Sequence, residues 1–356
     1  MSKASTETVL STFSYRRIAI PVLIGIGVSL YLLLRVSKPD ATALAQLSFS
    51  RHLLVGLGIA LLTVVVRDVA YIYRIWQLTD GKLSLFRCFE IIMLWEFGSS
   101  ITPASVGGIT LALFILKKEK ISFGKGTAII LLCSYLDNIA FVLVFGILFL
   151  LLGNQMFNLS AACPAMGSSI VMALRAVGQY VWVGFIVVAL VGGLLGFAIF
   201  IKPGWSQIFF SRLARVPWLH RWSASIHLLG IEIWHTSQEF QLRGRGFIMK
   251  ILTATVLSWC ARYALANALI WTFSPVALDQ LEVFARQYVH RMIVMIPATP
   301  GGSGIAELSF MAMNCEYLPS GLASTVAVVW RLYNFYIYLA IGAIVLPRWL
   351  ARVGKT

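Results

Sequence analysis

Two short segments interrupt membrane-grade apolar sequence with the same small-residue pattern. Thr102-Pro103-Ala104-Ser105-Val106-Gly107-Gly108 lies in the first half of the chain, and Thr299-Pro300-Gly301-Gly302-Ser303-Gly304 lies in the second. Lipid cannot hydrogen-bond to exposed backbone, so irregular chain at that depth survives only when buried in protein or lining a cavity. Paired interruptions in two halves of a membrane protein point to a transport site. Glycines there permit positive φ and close approach of backbone to a ligand. Where a half-helix begins, its free N–H groups and positive dipole end favour an anion such as phosphate. The other reading is that the glycines serve only tight helix crossing. On the first reading, Pro103, Gly107, Gly108, Pro300, Gly301, Gly302 and Gly304 form the tips of a polar site.

Ionisable residues inside apolar runs are the second chemical signal. They are Arg67, Asp68, Glu96, Asp137, Arg262, His290, Arg291, Glu307 and Arg331. Each costs about 2.5–3.5 kcal/mol at the bilayer centre on insertion scales, which makes it a functional candidate by default. Arg67-Asp68 and His290-Arg291 are expected near an interface, where arginine can snorkel. Glu307 follows the second glycine motif by three residues and is expected to face its cavity, for a cationic headgroup or a coupling proton. Arg262 and Arg331 would offset phosphate. Asp137 and Arg331 occupy near-equivalent positions, in Ser134-Tyr135-Leu136-Asp137-Asn138 and Trp330-Arg331-Leu332-Tyr333-Asn334. The spacing predicts that they pair across a pseudo-twofold axis, either as a structural salt bridge or in contact with substrate.

Signatures of enzymes are missing. His220, His227 and His235 have no HExxH or carboxylate set beside them to complete a metal site. Neither a G-x-S-x-G, a P-loop nor a G-x-G-x-x-G occurs in a credible strand-to-helix context. We therefore expect no catalytic residue, metal or cofactor.

The elements that must position these residues follow from composition. The 356 residues are 59% hydrophobic and 12% charged, with formal charge +15, and the mean hydropathy is +0.84. Soluble domains average about 25% charged residues, so an all-α polytopic membrane helix bundle is expected. The basic residues lie mostly in loops, as cytoplasmic loops require, and no nucleic-acid motif is present. Of five cysteines, only Cys163 and Cys315 fall where an external disulfide is open to them.

A spanning helix needs ~20 mostly apolar residues. Six runs approach this: 18–35, 52–73, 126–152, 181–201, 248–273 and 323–346. The basic clusters Arg16-Arg17, Arg74/Lys82/Arg87, Lys117–Lys125, Lys202–Lys250 and Arg348–Lys355 are assigned to the cytoplasm. Regions 88–116 and 284–318 then enter and leave on one side as re-entrant hairpins, the first from inside and the second from outside. The result is a single transmembrane domain, 1–356, of two inverted halves, roughly 15–152 and 180–348, joined through an external loop. Both termini are cytoplasmic in the inner membrane. Segment 203–247 reads as a cytoplasmic amphipathic helix, with Trp205, Phe209, Phe210, Leu213, Trp218 and Trp222 among arginines. It either lies on anionic lipid or packs as a connector under the bundle.

Several of these stretches resemble the transmembrane region of lysylphosphatidylglycerol synthases. They are Tyr73-Arg74-Ile75-Trp76, Lys82 through Arg87, Thr102 through Gly108, and Lys117 to Asp137. Pro297 through Glu307 is similar to that family's Pro-Gly-Gly-x-Gly-x-x-Glu signature, and Arg331 matches a basic residue in the helix that follows. The resemblance runs over roughly 15–350. It departs at Ala104, where the family has Gly; at Ile109, where it has an acid; near Ala112, where it has a base; and at Cys133-Ser134, where it often has Glu-Arg.

The resemblance implies a lipid flippase, moving an anionic or aminoacylated phospholipid or a polyprenyl- or hopanoid-type lipid. In full synthases an aminoacyl-transferase domain follows this region; here the chain ends at Thr356, so lysyl transfer is not expected. The implied partners are membrane lipids, with a separate soluble lipid-modifying enzyme and association between copies both left open. Two rival readings stay open beside it: a scaffold subunit of a lipid-modifying synthase, and a membrane lipid transferase using Glu307 with His290.

Overall fold

The structure is a computed structural model. It describes residues 50–102, 106–157, 180–196, 204–215, 223–274, 277–295, 302–319 and 322–353, together with Gly27. The expected first span, 18–35, lies outside these except for Gly27. The described residues form helices without strands, and four helices are long and apolar enough to cross a membrane. This is an all-α, multi-pass membrane protein.

Helix α1 (Arg51–Leu78) starts where the Ser50 hydroxyl accepts the Leu53 N–H at 3.2 Å. Its buried positions Gly56, Ala60, Val64, Arg67, Tyr71, Arg74 and Leu78 recur every three to four residues. Leu54, Leu61, Leu62, Val65 and Val69 face outward, so the outer face is apolar, as lipid requires. Helix α8 (Gly244–Phe273) lies antiparallel to it. Near the start of α1, Gly56 sits against Thr272 and the His52 ring is 3.3 Å from the Trp271 carbonyl. Near its end, Arg243 donates to the Gln77 carbonyl at 3.3 Å and pairs with Asp80.

The first broken region becomes two short helices, α2 (Leu85–Ile101) and α3 (Val106–Lys118). At 1.5 Å per residue they are about 26 and 20 Å long, each shorter than a ~30 Å hydrocarbon core. Thr102 is extended, at φ −118° and ψ 148°, because a following proline disfavours helical backbone. The arms fold back on each other. Gly108 packs against Ser99 and the Trp95 carbonyl, while Arg87 and Glu119 at the feet form a 3.2 Å ion pair. Arg352 clasps the same feet, binding Glu90 at 2.5 Å and Glu119.

Helix α4 (Phe123–Leu152) follows, and α5 (Val181–Gly196) packs on it through Gly192 against Asn138 and Gly196 against Tyr135. Segment 203–247 is two helices rather than one, α6 (Gly204–Leu213) and α7 (Ser223–Leu242). The first ends in a turn at Ala214-Arg215, and α7 packs as a connector. Its Glu232 accepts the Gly124 N–H at 2.7 Å and the Ser122 hydroxyl at 3.0 Å, where the positive end of α4 favours an anion. Trp205, Ile208 and Phe209 of α6 stay exposed along one helical stripe.

The second broken region is the pair α9 (Gln280–Met295) and α10 (Ile305–Asn314). Arg286 ties its feet, donating to the Met313 carbonyl at 2.5 Å and to Glu282 at 2.5 Å, and pairing with Glu316. Nearer the tip, His290 Nε2 lies 2.9 Å from the Ala306 carbonyl. Because α1 and α8 are antiparallel, the feet after α1 and the feet after α8 lie at opposite ends of the bundle. Helix α11 (Ala323–Val353) closes the structure, with a π-turn at Leu332–Tyr336.

A Cβ on Gly108 would stand 2.8 Å from the Trp95 carbonyl and 3.0 Å from the Ser99 nitrogen, both backbone atoms. Gly108→Ala should therefore push the hairpin arms apart and destabilise by about 1–3 kcal/mol. Thermal unfolding of the detergent-purified protein measures this, and an unchanged midpoint would show that the arms do not depend on the contact.

Candidate functional site

Two adjacent chambers that share a wall lie beside both hairpins. The first has a volume of about 420 Å³ and the second about 370 Å³, and both are bounded by Glu96, Ser99, Arg262, Arg291 and Met295. Arg74, Asp137 and Trp259 complete the polar wall of the first. Gln287, His290, Arg331 and Asn334 do so for the second.

Glu96 of α2 holds the centre. It pairs with Arg67 of α1 and accepts from Arg262 Nη2 of α8 at 2.8 Å. Arg67 is 1% exposed and sits about 16 Å before the end of α1 at 1.5 Å per residue. The expectation of an interfacial, snorkelling Arg67 is thus corrected: α1 runs on well past it. Asp68 beside it accepts the Tyr338 hydroxyl at 3.0 Å, and the Arg67 guanidinium stacks 4.5 Å from the Tyr338 ring. His290 is likewise buried.

A second pair lies along the first chamber. Arg74 Nη1 donates to Asp137 at 2.6 Å and to the Thr255 hydroxyl at 3.1 Å, and Trp259 Nε1 donates to Asp137 at 2.9 Å. Arg74, grouped by charge counting with a cytoplasmic loop, is buried in α1. The spacing Arg67-Tyr71-Arg74, four and three residues on one helical face, is the signal that places it inward.

The third pair supports the second chamber. Arg331 Nε donates to Glu307 at 2.7 Å and its Nη2 to Ser303 at 3.3 Å. Glu307 is wholly buried and also accepts the Gly304 N–H at 2.8 Å. It stands behind Arg331 rather than facing the cavity, and Gly304 spends its donor on this cap rather than on a ligand. Asp137 and Arg331 do not pair across the axis. Each finds an opposite charge on a nearer helix, which a buried ion needs before it meets any distant partner.

Among the other expected residues, Gly302 lines the second chamber at φ +68°, and Gly304 has φ +92°. Both adopt conformations that favour glycine. Gly107 lies in the first turn of α3, and Gly108 serves the packing described above. Pro103, Pro300 and Gly301 lie outside the described residues. Trp259 was not singled out in the sequence, yet it joins the centre. Arg291 stacks 4.4 Å and Arg262 5.2 Å from its ring, while its N–H holds Asp137. Among the described residues no three His, Cys, Asp or Glu side chains gather as metal ligands would.

Removing one member of a buried pair strands the other at a cost of about 3–5 kcal/mol. Glu307→Gln and Arg331→Met should each destabilise the protein on that scale, and the double variant should lose less than the sum. Additive losses in a double-mutant thermal-unfolding cycle would show that the pair is not coupled.

Comparison with known proteins bears on this arrangement. A family model for the lysylphosphatidylglycerol synthase TM region matches residues 20–342. The chain is also 22% identical over 273 residues to a protein of Archaeoglobus fulgidus described as a UPF0104 membrane protein, covering 74% of this chain and 76% of that one. No solved structure matches. With the match covering residues 20–342, both hairpins and the helix that carries Arg331 among them, the chain belongs to the lysylphosphatidylglycerol synthase TM region family.

Proposed function

We propose that this protein moves the polar head of a membrane lipid between leaflets, without a covalent step, and leaves the tails in the bilayer. The observation that carries this reading is the pair of chambers meeting at Glu96, Arg262 and Arg291, beside both short hairpins. A headgroup needs such a polar path across hydrocarbon, and irregular backbone at that depth is tolerated where it borders a cavity. Ile109, Val187, Val191 and Met295 line the first chamber and also face outward. They form an apolar rim from α3, α5 and α9 past which a tail can stay in lipid.

In this reading the hairpins are re-entrant and the halves form an inverted repeat of six spans, with both termini cytoplasmic in the inner membrane. The antiparallel α1 and α8, with hairpin feet at opposite ends, support the inversion. Cys315, at the foot of the second hairpin, is disulfide-bonded, whereas Cys88, Cys133 and Cys260 are free; Cys163 lies outside the described residues. Disulfides persist on the oxidising side of a membrane, which supports an external second foot. The basic feet of the first hairpin then face the cytoplasm.

The test is transport by the purified chain in vesicles, followed with head-labelled phospholipids accessible to a quencher on one side. Wild type should equilibrate the label between leaflets faster than protein-free vesicles. Gly302→Leu puts a branched side chain on the wall of the second chamber at a positive φ and should slow transport by about tenfold, about 1.4 kcal/mol on the barrier. Equal rates with and without protein across anionic, zwitterionic and aminoacylated lipids would overturn the carrier reading.

A further inference from the structure

Resting on the carrier reading, we propose that the site selects an unmodified anionic phosphate head and rejects the aminoacylated, ammonium-bearing head after which the family is named. Charge matching around the two chambers sets this preference. A cationic head needs a carboxylate free to receive it, and an anionic head needs a free cation.

Each carboxylate around the chambers is already engaged. Glu96 is shared by Arg67 and Arg262. Asp137 is held by Arg74 and Trp259. Asp68 takes Arg67 and the Tyr338 hydroxyl. Glu307 takes Arg331 and the Gly304 N–H. These four acids face five arginines, and the fifth is Arg291.

Arg291 borders both chambers, and among the described residues no carboxylate stands within ion-pair reach of it. Its guanidinium lies over the face of Trp259, at 4.4 Å, a contact that steers it without neutralising it. A planar guanidinium with free donors is suited to a phosphate oxygen pair. Arg262, anchored to Glu96, lies on the same shared wall and adds a second cation to it.

The remainder of the second chamber suits hydroxyls. Ser100, Thr102, Gln287 and Asn334 line it, and among the described residues the buried Asn334 Oδ1 and Tyr263 hydroxyl find no hydrogen-bond partner. Uncharged groups of this kind can meet a hydroxylated head at hydrogen-bond distance, but they supply no counter-charge for an ammonium. Placing one beside Arg291 and Arg262 would add like-charge repulsion in a site already short of acid.

The test uses the full chain in nanodiscs of phosphatidylcholine doped with either phosphatidylglycerol or lysylphosphatidylglycerol, with retained lipid measured by native mass spectrometry. Wild type should retain phosphatidylglycerol over the lysylated lipid. Arg291→Gln should lower that preference about ten- to a hundredfold, the scale of one charge-assisted contact. Arg291→Lys, which keeps the charge, should preserve most of it, and matching thermal midpoints separate this from misfolding. Equal or better retention of the lysylated lipid would overturn the inference while leaving transport of that lipid to support the carrier reading. Displacement of the bound lipid by millimolar inorganic phosphate would assign the site to a free anion and overturn the lipid-head assignment. Selective retention without transport in the vesicle assay would support the head selection and count against the carrier reading alone.

Discussion

Glu96 is shared between Arg67 and Arg262, and this bridge at the crossing of α1 and α8 is the interaction on which the interior depends. A lone carboxylate or guanidinium at that depth lacks water to solvate it, and its desolvation is offset only by an opposite charge in good geometry. One acid on the arm of the first hairpin therefore ties together two antiparallel helices, one from each half of the chain. Removing it would leave two cations facing each other across the bundle.

The same requirement shapes the remaining pairs. Arg74 with Asp137 and Arg331 with Glu307 each neutralise a charge before it is placed beside a chamber. Tryptophan and tyrosine complete the set by covering the guanidinium faces, as Trp259 does for Arg262 and Arg291 and Tyr338 does for Arg67. A cavity of this kind is polar without being flooded by unpaired charge. Among the described residues Arg291 is the arginine of this cluster left without an acid, and the proposed headgroup preference rests on it.

The glycines divide into two physical roles that residue type alone does not separate. Gly302 and Gly304 occupy positive φ beside the second chamber, where a side chain would strain the backbone. Gly108 brings two helix backbones together, as small residues do between membrane helices. A similar closeness holds Gly56 against Thr272 and Gly342 against Phe97. The first motif is thus partly a packing device.

Much of this was legible in the chain itself. Hydropathy is a local sum, so the long helices, the two interruptions and the membrane class follow from sequence, as does the expectation that buried ionisable residues such as Glu96, Arg262 and Arg331 matter. Partner choice is not local. Asp137 meets Arg74 from 63 residues away and Glu96 meets Arg262 from 166 away, so pairing Asp137 with Arg331 by motif symmetry failed. Burial of Arg74 was hidden because charge counting assigns a basic residue near a helix end to water. Only the packed bundle decides which guanidinium has an acid beside it and which one does not, because in a low-dielectric interior each charge pairs with the nearest opposite charge that the helix crossings supply.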